Sequence, residues 1–272
     1  MSTAKISAKD VMALRQKTGL GMMDCKKALV EAEGDLAAAE TALRAKLKGK
    51  MDERTDRAAG EGCIAIQEGG DRAAILEVRA ETDFTARNEM FVKMANDAAT
   101  MALEQAPGEI EFTQPMTDAL DNVRITTGEN ISFARGTVVE GSHFGRYVHH
   151  DGKLGVLVVF DGDPTPEVAL GIAQHVAAHV PTPMAVDETG VPPHLIEARR
   201  NEAVQEARDL GKPDEIAAKI AEGKMRKFFE EVTLVGQKYV RDDSMQVGSI
   251  LPDGVKVTHF IRMRVGEGEA TE

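Results

Sequence analysis

Residues 61–91 read EGCIAIQEGGDRAAILEVRAETDFTARNEMF, and their hydrophobic period changes once, from two to about 3.6. Ile64 and Ile66 share one face of an extended segment, and positions 74, 76 and 78 share a face of the next. Gly69-Gly70-Asp71 between them is typical of a tight turn. The stretch therefore predicts a β-hairpin followed by a helix with Phe91 on its apolar stripe, which is an α+β arrangement.

The junction between this hairpin and this helix is Thr82–Asn88, with the sequence TDFTARN. Phe buries well and has no particular role in turns, whereas Asp is costly to bury, so the pair Asp83 and Phe84 is unusual at such a place. Gly or Pro would serve an ordinary turn better. Two interpretations are open: Phe84 packs back onto its own domain, or the pair inserts into another molecule.

Toward the C-terminus the chain continues with helix and strand signals of the same kind. They predict a helix near 116–128, strands at 131–139, 147–149 and 154–160, a helix from 165, and a strand at 255–265. In the helix from 165, Ile172, Val176 and Val180 are predicted to face inward. Strict alternation in the last strand predicts one buried face, with His259 and Ile261 among its inward positions.

Residues 192–223 are highly charged and mostly helical in pattern, with a break at Gly211-Lys212-Pro213. They predict a projecting antiparallel helical hairpin with a narrow, coiled-coil-like seam. The predicted seam residues are Ile196, Ala203, Ala207, Leu210, Ile216 and Ile220. Such a seam can close on itself or pair with another chain, so a homodimer through the hairpin stays open.

The N-terminal residues 6–47 predict three short helices, separated by glycines at 19–21 and by Gly34. A unit of this size has little core of its own, so its stability should be marginal. The predicted domains are a three-helix partner-docking domain at 1–50, a linker at 51–60, an α+β core subdomain at 61–142 and a second α+β subdomain at 143–272, which carries the helical hairpin at about 192–223.

Composition limits the class of partner. The 272 residues carry 45 acidic and 33 basic side chains, a net charge of −12, which argues against nucleic acid as a main partner. Residues 1–59 alone carry a net charge of +3, which indicates a module with a different partner. The sequence lacks a membrane-length apolar run and a signal-peptide pattern, and its two cysteines lie in separate segments, so we expect a cytoplasmic protein.

Candidate catalytic and metal-binding residues give only weak signals. His175 and His179 have a spacing that can bind a metal, but the residues between them lack the Glu of a zinc-protease motif, so histidines on a helix surface are the favoured interpretation. The glycines at 19–21 and 60–62 match neither a phosphate-binding loop nor a dinucleotide fingerprint. We therefore expect no catalytic residue, no metal site and no cofactor.

Met22 and Met23 follow the glycines that separate the first two predicted helices. They belong either to the core of the small domain or to an adaptable apolar contact surface, because methionine suits interfaces that can repack. The sequence favours neither interpretation over the other.

Two segments are specific when they are taken together: TGLGMMDCKKAL at residues 18–29, and ETDFTARNE at 81–89 followed by Phe91. Both closely resemble signatures of the bacterial elongation factor Ts family. Further matches occur in the family's order at 147–149, 155–158, 175–178, 211–213 and 260–262, so the resemblance covers nearly the whole chain. It implies a ubiquitin-associated-like N-terminal domain, two α+β core subdomains with small antiparallel sheets, and a projecting helical hairpin.

The resemblance also implies a function, which is guanine nucleotide exchange on the GTPase elongation factor Tu. Asp83 and Phe84 would form a wedge inserted into the partner, the stretch Thr82, Asp83, Phe84 and Thr85 would dislodge its Mg²⁺ ion, and GTP would rebind after GDP leaves. Further partner-binding residues implied by the family are Arg15, Thr18, Gly19, Leu20, Gly21, Met22, Met23, Arg87 and Asn88. The family often has Val at the position of Thr85 and a small residue at that of Leu20.

Two other classes of function remain open. A non-catalytic adaptor would use the N-terminal helical domain to hold a peptide or a ubiquitin-like partner. A metal-dependent hydrolase would be built on His175 and His179.

Overall fold

The computed structural model describes residues 6–52 and 57–268, and its helices and small antiparallel sheets confirm the predicted α+β class. The helices are α1 (Ala8–Thr18), α2 (Met22–Glu31), α3 (Leu36–Asp52), α4 (Asp83–Ala86), α5 (Glu89–Ala102), α6 (Gln114–Thr127), α7 (Pro166–Ala178), α8 (Pro193–Asp209) and α9 (Asp214–Val232). The strands are β1 (Glu61–Gly69), β2 (Arg72–Ala80), β3 (Gly108–Glu109), β4 (Ile131–Glu140), β5 (His143–Val148), β6 (Leu154–Asp161), β7 (Lys238–Tyr239), β8 (Asp242–Gln246) and β9 (Lys256–Arg264).

The strands form three sheets. Their orders are β1-β2-β4-β3, β5-β6-β9 and β7-β8, and the pairs β3–β4, β5–β6, β6–β9 and β7–β8 are antiparallel. The chain divides into two compact units. Among the described residues, the first unit contains 6–52, 57–67, 76–138 and 265–268, and the second contains 68–75 and 139–264. The domain boundaries at 50, 60 and 142 stay a prediction.

The first three helices of the first unit form a small bundle, as predicted. A capping box between Ser7 and Asp10 begins α1, and Gly19 ends it in the left-handed conformation at φ 71°. The core of the bundle is formed by fully buried residues of each helix, among them Leu14, Cys25, Leu29 and Ala39. The predicted end of the third helix at residue 47 is wrong, because α3 continues to Asp52.

The extension of α3 is stabilised by contacts with α6. Met51 is buried in the bundle core, which also includes Ile125 of α6. Arg124 donates from Nη2 to the Met51 carbonyl oxygen at 3.0 Å. Lys48 pairs with Asp121 at 2.6 Å, and this hydrogen bond is the main reason why the pKa of Lys48 is raised. The bundle is too small to form a large core by itself, and its contacts with α6 add apolar burial and ion pairs.

The β1–β2 hairpin confirms the prediction from residues 61–80, but β2 is buried on both faces. Every residue from Ala73 to Ala80 is buried, including the charged side chains of Glu77 and Arg79. Glu77 is fully buried and accepts hydrogen bonds from Arg79 Nε at 2.8 Å, from Arg135 Nε at 2.8 Å and from the Gly266 amide at 2.9 Å. A buried carboxylate is tolerated here because cationic and backbone donors surround it.

In the second unit, α7 packs against the sheet β5-β6-β9. Residues 154–160 of β6 are all buried, as predicted. Among them, Val156, Val158 and Phe160 share a core with Ile172 and Val176 of α7. The predicted alternation along β9 holds only in part. A bulge pairs Val159 with His259 but Phe160 with Val257, so that His259 is exposed while Phe260 packs against the core.

Two predictions for α7 and the residues that follow it need correction, the inward position of Val180 and the surface position of His175. Val180 is 89% exposed, because α7 ends at Ala178 and the chain turns to an extended conformation at His179. His175 is not a surface histidine: it is fully buried, its Nε2 donates to Gln237 Oε1 at 3.0 Å, and its Nδ1 accepts from the Val240 amide at 3.3 Å. Gln237 in turn donates to the Pro181 and Glu231 carbonyl oxygens.

The burial of His175 predicts a loss of stability in acid. Burial lowers its pKa to about 4 from the ordinary 6.5, the hydrogen bond with Gln237 opposes this shift, and the nearby His179 adds to it. Between pH 6.5 and 4 the unfolded chain therefore binds more protons, so this stability is complete above pH 6.5 and falls as the pH drops. The expected loss between pH 7 and pH 4.5 is about 2 kcal/mol in the free energy of unfolding. Urea unfolding at pH 7 and pH 4.5 would measure it, and His175→Gln should lack this part of the loss. Parallel pH profiles for the two proteins would contradict the prediction.

Helices α8 and α9 form the predicted hairpin, and α9 extends to Val232, beyond the predicted end near 223. Their antiparallel pairing is seen in Arg199, which lies over the Phe228 ring at 5.9 Å, and in the contact between Glu206 and Lys224. The predicted seam is only partly correct. Leu210 and Ile216 are exposed beside the turn, and the buried seam residues are Ala203, Ala207, Ala217, Ala221 and Met225. Within the described residues, no helix is long and apolar enough to cross a membrane.

Candidate functional site

The turn at Thr82–Asn88 is built as a short, capped platform for Phe84. Thr82 has an extended backbone, and its hydroxyl accepts the Thr85 amide at 3.3 Å, which begins the one-turn helix α4. Thr85 and Ala86 are buried, whereas the Phe84 side chain is 84% exposed. The interpretation in which Phe84 packs onto its own domain is therefore wrong, and the expectation that it points outward is confirmed.

Asp83 directly precedes Phe84 in this turn and is partly exposed. Its side chain is 44% exposed, and its carboxylate is 3.7 Å from Arg87 Nη2, in a solvent-facing pair that contributes little stability. Asn88 then caps the next helix, α5, by accepting the Met90 amide at 2.9 Å. The turn therefore presents one aromatic and one carboxylate side chain between two capped helix starts.

Thr82 is also held from the loop that follows α6. Glu129 accepts the Thr82 hydroxyl at 2.7 Å and the Thr82 amide at 3.1 Å. In return, Glu81 accepts the Asn130 amide at 2.6 Å. Sequence reasoning did not find Glu129 or Glu81. The available signal is the polar run Gly128-Glu129-Asn130 between a helix and a strand, which also suits an ordinary loop.

The second predicted surface lies in the three-helix bundle. Met22 and Met23 are 51% and 77% exposed, which favours the contact-surface interpretation over the core interpretation. Arg15 and Gly21 are exposed as well. Thr18 is buried instead, where its hydroxyl donates to the Leu14 carbonyl oxygen at 2.7 Å. Leu20 is buried in the bundle core.

Both predicted surfaces adjoin the C-terminal end of α6. A Cβ atom on Gly19 would lie 3.2 Å from Thr126 Cγ2, so the loop with the two methionines packs closely against this end of the helix. Gly19 also has φ 71°, which favours glycine. Three residues beyond Thr126, Glu129 holds Thr82. The structure thus brings residues 18–23 and 82–85 to the same helix end, although they are about 60 positions apart in the sequence.

The histidine pair does not form a metal centre. The rings of His175 and His179 lie 4.8 Å apart, and both nitrogens of His175 are occupied by Gln237 and Val240. Over residues 6–52 and 57–268, the structure contains no group of three or more His, Cys, Asp or Glu side chains that could hold a metal ion.

Comparisons with known proteins place the chain in the class of translation elongation factors. Residues 81–267 match the family model described as Elongation factor TS. The chain is 39% identical to the Elongation factor Ts of Psychrobacter arcticus over 98% of this chain and 93% of that protein. It is also 39% identical to the Elongation factor Ts of Alkalilimnicola ehrlichii, over 97% of this chain and 93% of that protein. The chain belongs to the elongation factor Ts family, which confirms the resemblance found in its sequence.

Proposed function

We propose that this chain binds elongation factor Tu in its GDP-bound form and promotes release of GDP by inserting Asp83 and Phe84 near the partner's Mg²⁺ site, so that GTP can rebind. The observation that carries the proposal is the 84% exposure of Phe84 on a turn fixed by caps and by buried neighbours. A large aromatic side chain held in solvent is suited to burial in another protein.

The four residues of the turn have different parts in this mechanism. Asp83 and Phe84 are the side chains exposed to contact the partner, whereas Thr82 and Thr85 hold the turn in place from within. Mg²⁺ requires near-ideal octahedral geometry, so a small displacement of the groups around it weakens its binding sharply. Loss of the ion then removes positive charge from beside the nucleotide phosphates. Such displacement needs no acid, base or nucleophile, and we propose that the chain acts without catalysis of its own.

The three-helix bundle supplies the docking surface in this proposal. Met22, Met23, Arg15 and Gly21 are exposed and available to the partner. Thr18 and Leu20 shape the loop from its buried side, whereas Gly19 is exposed between them. Arg87 and Asn88 extend the surface of the Asp83-Phe84 turn. The proposal also includes a cytoplasmic location, no direct contact with nucleic acid, and α8–α9 as the surface for any homodimer.

The test is release of labelled GDP from elongation factor Tu. Addition of this protein should accelerate release at least about tenfold over the spontaneous rate, as expected for a coupling free energy of about 1.4 kcal/mol. Because coupling between binding equilibria is reciprocal, GDP should weaken the equilibrium binding of this protein to the partner by the same factor by which this protein weakens the binding of GDP. Unchanged release would refute exchange activity. Tight binding with unchanged release would instead support the adaptor function of the N-terminal helical domain.

A further inference from the structure

We propose that Glu129 is a positioning residue for nucleotide exchange, because its carboxylate fixes the start of the turn that carries Asp83 and Phe84. This inference rests on the proposed function. It assigns to the loop after α6 a part in exchange that does not require contact with the partner.

The geometry at Thr82 defines this role. Glu129 Oε1 accepts the Thr82 hydroxyl at 2.7 Å, and Glu129 Oε2 accepts the Thr82 amide at 3.1 Å. The hydroxyl has a single proton, which it donates to Glu129, so its lone pairs are directed toward the Thr85 amide at 3.3 Å. Glu129 thus selects the hydroxyl orientation that caps α4. Hydrogen bonds to a carboxylate are also stronger than those between neutral groups.

A matching contact runs in the opposite direction. Glu81 accepts the Asn130 amide at 2.6 Å and pairs with Arg57 at 3.3 Å. Asn130 Nδ2 donates to the Arg57 carbonyl oxygen at 2.8 Å. Residues 81–82 and 129–130 therefore each supply a carboxylate to a backbone amide of the other pair. We call this arrangement the reciprocal carboxylate contact.

The reciprocal carboxylate contact matters because α4 cannot hold its own orientation. It has four residues, and a single helical turn is unstable without external support. Phe84 follows Thr82 by two residues, so a rotation of the backbone at Thr82 moves the phenyl ring directly. The burial of Thr85 and Ala86 fixes one side of the turn, and Glu129 fixes its beginning. When a side chain must be held in one position to accelerate a reaction, its displacement by about 1 Å can reduce the reaction rate by about 100-fold.

Loss of Glu129 should therefore affect exchange more than folding. Its side chain is only half-buried, so water can hydrogen-bond to Thr82 in its place and the Tm should change by only a few degrees. The docking residues of the bundle are untouched by the change. We expect Glu129→Ala to reduce the GDP release rate at saturating factor about tenfold, with a much smaller change in the concentration that gives half-maximal release.

The experiment compares the maximal release rate for the unchanged chain with those for Glu129→Ala, Glu129→Gln, Thr82→Val and the double variant Glu129→Ala/Thr82→Val. In Glu129→Gln the side chain keeps one acceptor oxygen, so its maximal release rate should lie between those of the unchanged chain and Glu129→Ala. The double variant should lose less than the product of the two single losses, because both changes remove the hydrogen bond between the Thr82 hydroxyl and Glu129. Glu104→Ala, which removes an exposed carboxylate in the same unit, is the matched control and should behave as the unchanged chain. Hydrogen exchange should rise at the amides of 82–85 in Glu129→Ala and remain unchanged elsewhere.

The outcomes separate this inference from the proposed function. If the unchanged chain fails to accelerate release, the proposed function fails first. If the unchanged chain is active and Glu129→Ala is equally fast, Glu129 has no positioning role and exchange still stands. Additive rate losses in the double variant, or hydrogen exchange raised throughout the first unit, would also overturn the inference, because both indicate a general effect on folding.

Discussion

Replacement of Phe84 with alanine is expected to reduce the acceleration of GDP release by about 10- to 100-fold, with the Tm almost unchanged. The side chain is 84% exposed, so its removal costs the free protein little packing energy. Full burial of a phenylalanine side chain in a partner contributes about 1.5–3 kcal/mol, and residues that dominate an interface contribute 2 kcal/mol or more. Stopped-flow release of a fluorescent GDP analogue from elongation factor Tu would measure the effect.

Leu210→Ala is the matched control for Phe84→Ala. Leu210 is 75% exposed at the turn of the α8–α9 hairpin, so the change also truncates a solvent-facing apolar side chain. We expect this variant to exchange nucleotide at the unchanged rate. If Phe84→Ala were as active as the unchanged chain, the proposed insertion of Asp83 and Phe84 would be wrong, whatever the family of the protein.

The largest expected effect on stability comes from Glu77. We expect Glu77→Ala to lower the free energy of unfolding by about 3 kcal/mol, since removal of one member of a buried ion pair leaves the opposite charge buried. Glu77 is fully buried and accepts hydrogen bonds from Arg79, Arg135 and the Gly266 amide. Chemical denaturation, followed by a probe in the first unit, is the appropriate measurement.

Two variants control for the change at Glu77. Glu109→Ala removes an exposed carboxylate from β3 of the same sheet and should alter the unfolding free energy by less than about 0.5 kcal/mol. Glu77→Gln keeps an acceptor oxygen without the charge, so its loss of unfolding free energy should lie between those of Glu77→Ala and Glu109→Ala. A loss below about 1 kcal/mol for Glu77→Ala would show that the three donors find other partners on their own.

Glu77 also shows why the sequence predicted the hairpin but not its full environment. Period-two spacing and a Gly-Gly-Asp turn are local features, so they were sufficient to predict β1 and β2. A glutamate between apolar residues predicts an exposed face. Glu77 is buried here because Arg135 and the Gly266 amide donate hydrogen bonds to it. These two donors lie 58 and 189 positions away in the sequence. A local pattern contains no information about such distant partners.

The helical hairpin illustrates a different limit. Spacing predicted two helices and their break at Gly211 correctly, since glycine and proline interrupt helices for local reasons. The large apolar residues Leu210 and Ile216 were assigned to the seam, but they lie beside the turn where the two helices no longer face each other. The predicted seam residues Ala203 and Ala207 are buried, but most of the seam is formed by small residues such as these and Ala217. The weak hydrophobicity of alanine makes such a seam difficult to recognise from a sequence.

The candidate site was predictable only where its chemistry was unusual. Phe84 beside Asp83 stood out because neither residue is expected in a simple turn. Glu129 did not stand out, because an acidic residue between a helix and a strand is ordinary, and its contact with Thr82 spans 47 positions. The burial of His175 could not be predicted either, because its hydrogen-bond partners, Gln237 and Val240, are 62 and 65 positions away in the sequence.

The position of α6 has a consequence for affinity. The same ten residues, 121–130, contact the three-helix bundle through Asp121 and Arg124 and hold the exposed turn through Glu129. The separation between the two proposed partner surfaces is therefore set by folded structure, not by the reach of the chain between α3 and β1. A partner that binds one surface then meets the other at a high effective concentration. The affinity therefore depends on the distance between the two surfaces. A protein with the same two complementary sites at another separation would bind through one of them only.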